Sequence, residues 1–214
     1  SMLGTTTPGA LAAKEMLEER GYDFVAFHQN GTGGIAMEDM LSEGLFVAAL
    51  DINLHEVGDR YYGGLHGAIR DYRLETAGRL GIPQVVAPGS VNYCVLGPYE
   101  EVPADMKARP HIIHNPTLTL VRLTPEELTE VGRITAEKIN KATGPIHVYM
   151  PLRGFSYPDR EGGEHWWPEG NEAFITSLKK HLDKRVSYDE VDAHINDREF
   201  IEIAVSELFR MLEG

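Results

Sequence analysis

The chain has 214 residues, of which 42% are hydrophobic, and this is enough for one large domain or two small ones. Its net charge of −13, from 33 acidic and 20 basic residues, argues against a nucleic-acid partner, which normally needs a basic face. A nucleotide is not excluded, because backbone N–H groups can hold its phosphates. Cys94 is the only cysteine, so no intrachain disulfide forms, and no apolar run is long enough to cross a membrane. We therefore expect a cytoplasmic protein.

Short apolar runs alternate with longer amphipathic segments along the chain. Gly21 closes the first predicted helix, and Thr124 and Glu127 form the capping box of a later one. The predicted helices cover residues 10–20, 35–43, 71–80, 125–142, 171–182 and 198–212. The predicted strands cover residues 23–28, 46–52, 84–87, 146–150 and 186–191. The proline- and glycine-rich stretches 88–110 and 155–170 are interpreted as long loops.

This alternation predicts an α/β fold, with a doubly wound, mostly parallel sheet and helices on both faces, as in a Rossmann-like three-layer sandwich. We assign residues 1–214 to a single domain. Right-handed crossovers bring the loops that follow the strands to one edge of the sheet, where such folds bind ligands. A glycine- and threonine-rich loop at residues 4–9 should follow a strand, yet only Ser1, Met2 and Leu3 precede it. We therefore expect the chain to begin late in its first strand, as part of a longer protein.

Two loops rich in glycine and threonine follow points where a strand should end. They are residues 4–9, here called the first loop, and residues 29–34, called the second loop. Such turns combine unpaired N–H groups, the positive end of a helix dipole and hydroxyl donors, which together suit a phosphate or carboxylate. The predicted contacts are Thr5, Thr6, Thr7, Gly31, Thr32, Gly33 and Gly34. The alternative for the first loop is that its threonines only cap the following helix.

The second loop carries the stronger signal. Three glycines in four residues permit close backbone approach, at an entropic cost that a plain turn does not require. The loop matches neither the dinucleotide fingerprint nor the P-loop, and a purely structural turn remains the alternative. If it holds a ligand, valine at Gly33 should abolish binding.

Polar side chains near other predicted strand ends could complete the site. Asp51 could hold a ribose hydroxyl or a metal-bound water, and Glu56 could act as a general base; the alternative is that Asp51 caps a turn. Asn115, beside His114, is interpreted as facing the ligand, and Arg153 offers a fork for phosphate or carboxylate. No histidine spacing matches a known metal motif, so we predict no metal-ligating residues.

Six separated motifs together resemble a known family. It is the ATP-binding domain family similar to the inhibitory region of the tomato mosaic virus resistance protein, long classed as uncharacterised. The resemblance covers nearly the whole chain and implies nucleotide binding, and it implies that this is the C-terminal one of two α/β subdomains. The motifs are Gly4–Pro8, Phe27–Glu38, Gly81–Gly89, His114–Pro116, Pro151–Ser156 and Val191–Asp197.

The leading hypothesis is a domain that binds a small anion, namely ATP or a related nucleotide, with Mg²⁺ as a helper ion. Its expected partners are the N-terminal subdomain of the same longer protein and further copies in a homo-oligomer, without nucleic acid or membrane. The alternative is an enzyme acting on a small carboxylate or phosphate metabolite, with Glu56 or His114 as acid–base group. A third hypothesis is a non-catalytic interaction module that oligomerises through its acidic, loop-rich face.

Overall fold

The computed structural model of the chain describes every residue from Ser1 to Gly214. A four-stranded sheet has the order β1-β2-β6-β7, and all its pairings are parallel. The strands are β1 (Ala49–Asp51), β2 (Gln84–Val86), β3 (Tyr93–Leu96), β4 (His111–Asn115), β5 (Leu118–Arg122), β6 (Ile146–Pro151) and β7 (Ser187–Val191). The helices are α1 (Thr7–Glu19), α2 (Thr32–Ser42), α3 (His55–Tyr62), α4 (Thr76–Leu80), α5 (Ala104–Lys107), α6 (Pro125–Ile139), α7 (Pro168–His181) and α8 (Arg198–Glu213).

Helices cover both faces of the parallel sheet, which confirms the predicted fold class. Successive residues of β2 face opposite sides, as the two-residue period of a strand requires. Val85 belongs to the core under α1 and α8, whereas Val86 belongs to the larger core under α6 and α7. Burial on both faces explains why the central strands β2 and β6 are buried along their whole length rather than at alternate residues. None of the helices combines the length and hydrophobicity that a membrane span requires.

The predicted strand 23–28 is wrong, because it has almost no partner. Its only ladder contact is one parallel bridge, between Met2 and His28. Here Met2 N donates to Phe27 O at 3.0 Å, and Gln29 N donates to Met2 O at 2.7 Å. The predicted strand 46–52 shortens to β1 for the same reason, since a strand requires hydrogen-bonded neighbours along its length.

Residues 88–123 contain a second sheet that was not predicted. β3, β5 and β4 form an antiparallel sheet in that order, with β4 and β5 joined as a hairpin. The proline- and glycine-rich stretch therefore contains strand β3 within the predicted loop. The predicted helix 71–80 shortens to α4, since Leu74 takes a φ of 75°, outside the helical region.

Helix α6 begins as its sequence predicts. Thr124 Oγ1 accepts the N–H of Glu127 at 3.2 Å, and Glu127 Oε2 accepts the N–H of Thr124 at 2.8 Å. These reciprocal bonds satisfy two helix-end donors that would otherwise lack partners. The helix start is therefore readable from residues 124–127 alone, and Arg109 adds a bond of 2.8 Å to Glu127 Oε2.

Candidate functional site

The loops that follow the parallel strands meet at one edge of the sheet. They are residues 52–54, 87–92, 152–160 and 192–197, after β1, β2, β6 and β7 respectively. Met2 pairs in the same parallel direction, which brings the first and second loops to this edge as well. The carboxyl edge of a parallel sheet is the usual ligand-binding edge of such folds. The candidate site is therefore built from these loops.

The first loop presents a cluster of hydroxyl groups at this edge. Thr5 Oγ1 lies 2.6 Å from Ser90 Oγ and 2.8 Å from Tyr93 Oη. Ser90 and Tyr93 are buried, whereas Thr5 is half-buried. Burial raises the pKa of Tyr93, so its phenol stays protonated at neutral pH and can donate a hydrogen bond. Gly4 beside this cluster is exposed, with open space where a Cβ atom would lie.

The other two threonines of the first loop hold its backbone. Thr6 Oγ1 accepts hydrogen bonds from Leu3 N and from Asn53 Nδ2, and the side chain is fully buried. Thr7 Oγ1 donates to Leu3 O at 3.1 Å. Thr5 is therefore the threonine whose hydroxyl belongs to the hydroxyl cluster, and it is the one half-buried member of that cluster.

The carbonyl of Thr5 connects the first loop to two other loops. Tyr157 N and Asn196 Nδ2 each donate to Thr5 O at 2.9 Å. Gly9 N in turn donates to Asn196 Oδ1 at 3.2 Å. These bonds fix the first loop from both sides, so that its hydroxyl cluster is held in one geometry.

The second loop already holds a carboxylate, which belongs to the protein itself. Gly31 N and Gly34 N both donate to Glu56 Oε1, at 2.7 Å and 3.1 Å. A Cβ atom at Gly34 would lie 1.8 Å from Glu56 Oε2, which explains the glycine. The loop is a carboxylate cradle, as its composition suggests, but its occupant comes from α3. The remaining donors contact Asn30, whose Oδ1 accepts Thr32 Oγ1 at 2.9 Å and Gly33 N at 3.4 Å.

Glu56 and Asp51 face a buried arginine that the sequence analysis did not single out. Arg73 Nε donates to Glu56 Oε2 at 3.0 Å, and its two terminal nitrogens donate to Asp51 at 2.6 Å and 2.9 Å. Glu38 joins the same guanidinium at 3.3 Å. Burial works to raise the pKa of Asp51, but Arg73 holds it below its usual value, whereas burial raises the pKa of Glu56. Both carboxylates are fully buried and directed inward.

Three further residues that the sequence suggested as ligand contacts or acid–base groups do not join the hydroxyl cluster: two lie on a hairpin, and the third forms an ion pair. Asn115 lies in the β4–β5 hairpin, where its Oδ1 accepts Thr117 N at 2.9 Å. His114 is exposed on the same hairpin. Arg153 does lie at the carboxyl edge, but it is exposed and pairs with Asp192 at 2.7 Å. The structure thus brings only Arg153 of these three to the edge of the parallel sheet.

A histidine cluster borders the hydroxyl cluster. His55 Nε2 lies 3.1 Å from His66 Nδ1 and 3.3 Å from Asp59 Oδ2. Burial lowers the pKa of His55, but Asp59 outweighs it and the net shift is upward; burial and His55 lower the pKa of His66 to about 4. The His55 ring lies 4.8 Å from the Tyr93 ring, so the two clusters are in contact. His55 and Asp59 are four residues apart, which places them on the same face of a helix. The sequence analysis predicted no helix at α3, so it did not bring these two side chains together.

Comparison with known proteins identifies the family. Residues 1–212 match the C-terminal domain of an uncharacterised protein family, UPF0261. A UPF0261 protein of Clostridium tetani is 40% identical over the whole chain, which covers 53% of that relative, and one of Brucella melitensis is 34% identical over 96% of the chain, covering 50% of its length. The tomato resistance protein Tm-1 is 34% identical over 94% of the chain, which covers 27% of its length.

The chain therefore spans about half the length of the UPF0261 proteins it matches. The family description names no ligand and no reaction, so the ATP-binding description is not supported by it. The match extends over nearly every residue, at 40% identity to the Clostridium protein. The chain thus belongs to the UPF0261 family, of which it is the C-terminal domain.

Proposed function

We propose that this domain binds a small phosphate-bearing ligand, such as ATP or a related nucleotide, at the first loop. The observation that carries the proposal is the hydroxyl cluster of Thr5, Ser90 and Tyr93, with bonds of 2.6 Å and 2.8 Å. The half-buried Thr5 hydroxyl can reorient to donate to an incoming oxygen while Ser90 and Tyr93 hold it from the buried side, and the nearby start of α1 adds a favourable dipole. Open space above Gly4 gives the ligand access.

The structure favours the first loop over the second as the phosphate site. The amides of Gly31 and Gly34 already bond to Glu56, so a phosphate there would have to displace a buried carboxylate. Such a displacement would leave Glu56 without its donors beside Arg73, at a cost of several kcal/mol. The first loop requires no comparable exchange, because Thr5 is half-buried and faces the loop edge.

The test is a titration of the chain with ATP, ADP and inorganic phosphate, followed by isothermal calorimetry. Thr5→Val removes the hydroxyl while keeping the side-chain shape, and we expect it to weaken binding at least about tenfold, a loss of about 1.4 kcal/mol. Thr32→Val is the matched control in the second loop, and it should bind as the parent does. Equal affinity in Thr5→Val, or loss confined to Thr32→Val, would refute the assignment. Failure of all three ligands to bind would refute the proposal as a whole.

The partner we propose is another part of the longer protein. Met2 pairs with Phe27, and the terminal ammonium of Ser1 donates to Leu50 O at 2.7 Å, so these first residues lie between two segments of chain. An apolar groove of about 610 Å³ lies between the same segments, lined by Phe24 and Val47 among others. A preceding extended segment would fill this groove as an additional strand. Extending the chain ahead of Ser1 with the corresponding segment of the Clostridium tetani relative, of which this chain covers 53%, should therefore raise the free energy of unfolding, and an unchanged value would contradict the proposal.

Self-association is the second partner proposal, and it rests on exposed apolar side chains at the same groove. Val25 and Val47 are 50% and 66% exposed. Scattered apolar residues are normal on a protein surface, but a lined groove is more unusual. Light scattering across a concentration series measures the association. A monomer at every concentration would count against it.

The enzymatic alternative needs a different acid–base group from those that the sequence suggested. Glu56 bonds inward to Arg73, and His114 lies on an exposed hairpin. His66 is the group that the geometry favours, because it is half-buried and its Nδ1 lies 3.1 Å from Nε2 of His55, whose ring contacts that of Tyr93. A neutral imidazole can accept a proton from a bound substrate. This alternative would be supported if the parent chain released inorganic phosphate from a candidate phosphate ester and His66→Ala did not.

A further inference from the structure

Three potential metal ligands converge on one point beside α3. His55 Nε2 lies 3.3 Å from Asp59 Oδ2 and 3.1 Å from His66 Nδ1, and the three donor atoms all lie within 4.8 Å of one another. His55 and Asp59 are fully buried one helical turn apart, and His66 is half-buried on the following loop. We propose that these three side chains bind a divalent first-row transition ion of the Zn²⁺ type.

The spacing of the donor atoms suits such an ion. Zn²⁺ binds histidine nitrogen and carboxylate oxygen at about 2.0–2.2 Å, which places tetrahedral ligand atoms about 3.4 Å apart. The two measured separations from His55 Nε2 are within a few tenths of an ångström of that value. Two imidazoles and one carboxylate favour zinc and its neighbours over Mg²⁺ or Ca²⁺, which prefer oxygen ligands alone.

Outer hydrogen bonds orient each buried ligand. His55 Nδ1 lies 3.1 Å from the carbonyl of Ser90, which selects the tautomer that donates there and leaves Nε2 with a free lone pair. Asp59 Oδ1 accepts Val95 N at 3.1 Å, and its Oδ2 accepts His66 N at 3.0 Å. Metal-ligating histidines and carboxylates are usually held in this manner. A simple ion pair between His55 and Asp59 would not need a third donor atom directed at the same point.

The arrangement leaves a coordination position for an outside group. Three protein ligands and one open position are typical of catalytic zinc sites, whereas structural sites use four protein ligands. The trio also borders the hydroxyl cluster, because the His55 and Tyr93 rings are 4.8 Å apart. An oxygen of a phosphate or carboxylate ligand is therefore the chemical class that we expect in the open position.

The test measures metal binding directly, without any activity assay. The full chain is stripped with a chelator and titrated with Zn²⁺ by calorimetry, and then with Co²⁺, whose visible absorption reports its coordination. We expect one ion per chain and a nitrogen-containing, four- or five-coordinate Co²⁺ spectrum. His66→Ala removes one ligand from a half-buried position and should weaken binding at least about tenfold, by analogy with losses seen for outer-shell partners. His114→Ala removes an exposed histidine elsewhere and is the matched control.

Two results would overturn the site. One is the absence of stoichiometric Zn²⁺ binding by the parent chain, and the other is equal affinity in parent and His66→Ala. Circular dichroism of each variant confirms folding, and Asp59→Asn, which keeps one carbonyl acceptor, provides a second ligand variant if His66→Ala is unstable. Phosphate titration of the chelator-treated chain separates this proposal from the first-loop proposal, since Thr5 needs no metal to donate its hydrogen bond.

Discussion

Removing the Glu56 carboxylate should both destabilise the domain and open a small anion site. In Glu56→Ala, the amides of Gly31 and Gly34 lose their acceptor, whereas Arg73 Nε still donates to Gln29 Oε1 at 3.1 Å. An unsatisfied buried donor costs about 1–3 kcal/mol, so two of them give about 2–6 kcal/mol. Removal of a carboxylate that is itself fully buried recovers part of this cost. We expect a net loss of about 2–4 kcal/mol in the free energy of unfolding.

Acetate tests the reason for this loss. The variant retains the two amide donors beside Arg73 and gains a cavity with the shape of the missing carboxymethyl group, so acetate should bind there and restore stability. Acetate at about ten times its dissociation constant would raise the free energy of unfolding by about 1.4 kcal/mol. Urea unfolding with sodium acetate, compared with sodium chloride at equal ionic strength, measures the difference. Glu56→Leu fills the cavity and should show no acetate effect, as should the parent chain.

The reasoning is refuted by either of two outcomes. If Glu56→Ala unfolds within about 1 kcal/mol of the parent, the carboxylate does not satisfy the second loop in solution, and a role facing a ligand becomes the better explanation. If acetate stabilises the parent as much as the variant, the anion effect does not arise at the Glu56 position. A large loss with selective acetate rescue would establish that the second loop is a carboxylate cradle with an internal occupant.

Three further predictions concern stability and reactivity. Gly33→Ala places a Cβ atom 1.9 Å from the His28 carbonyl and should prevent native folding by circular dichroism, whereas Gly4→Ala meets nothing within 4 Å and should stay within about 0.5 kcal/mol of the parent in urea unfolding. Hydrogen bonding to Arg210 and His147 lowers the pKa of Glu207 from 4.5 to about 2. The contribution of the ionised carboxylate to the free energy of unfolding is therefore complete above pH 4.5 and is lost as the pH falls toward 2. The free energy of unfolding of Glu207→Gln should lack that part of the acid dependence. Burial raises the pKa of Cys94 to about 12, so a thiol reagent such as dithionitrobenzoate should label it only when urea unfolds the chain, and rapid labelling of the native protein would contradict this.

The expected result for Gly33 changes the interpretation of one binding experiment. Valine at Gly33 was the obvious test of a phosphate in the second loop, but any side chain there collides with the His28 carbonyl. Loss of binding in such a variant would therefore report loss of the fold. Thr32→Val tests the same loop without this collision, since Thr32 is exposed in the first turn of α2.

Local signals in the sequence were enough for most of the parallel fold. The capping box at Thr124 gave the start of α6, short apolar runs gave β2 and β6, and the more polar β7 was also predicted to within one residue. These features depend on neighbouring residues and on burial on both faces of the sheet. The predicted strand 23–28 was wrong because a strand also depends on partners, and only Met2 bonds to it.

The antiparallel sheet was missed because its pattern is weak in the sequence. β3 is a four-residue strand within a segment punctuated by proline and glycine, and such punctuation normally indicates a loop. β4 and β5 pair through a tight hairpin whose two turn residues are Pro116 and Thr117 rather than an Asn-Gly pair. Pairing between β3 and β5 joins segments more than twenty residues apart, which local patterns do not reveal.

The candidate site shows the same division between local and distant determinants. Glycine content and turn type are local features, so the sequence could indicate a loop whose backbone N–H groups suit a phosphate or carboxylate. It did not reveal that Glu56 fills the cradle, because Glu56 lies 22 residues after Gly34 and 25 after Gly31, and they meet only in the folded chain. Arg73 gave no signal either, because its importance arises only from the three carboxylates gathered around it.

Ser90 connects the two sites that we propose. Its hydroxyl bonds to Thr5 Oγ1 at 2.6 Å, and its carbonyl lies 3.1 Å from His55 Nδ1. A ligand oxygen that bonds to the hydroxyl cluster and an ion that binds His55 would therefore both affect the hydrogen bonds of this one buried residue. By thermodynamic linkage, any change that the ion makes in phosphate affinity must be matched by an equal change that phosphate makes in ion affinity. The two loops that look alike in the sequence thus differ in role. Glu56 occupies the donors of the second loop, whereas the first loop lies beside Ser90, where we propose that an anion and a cation bind next to each other.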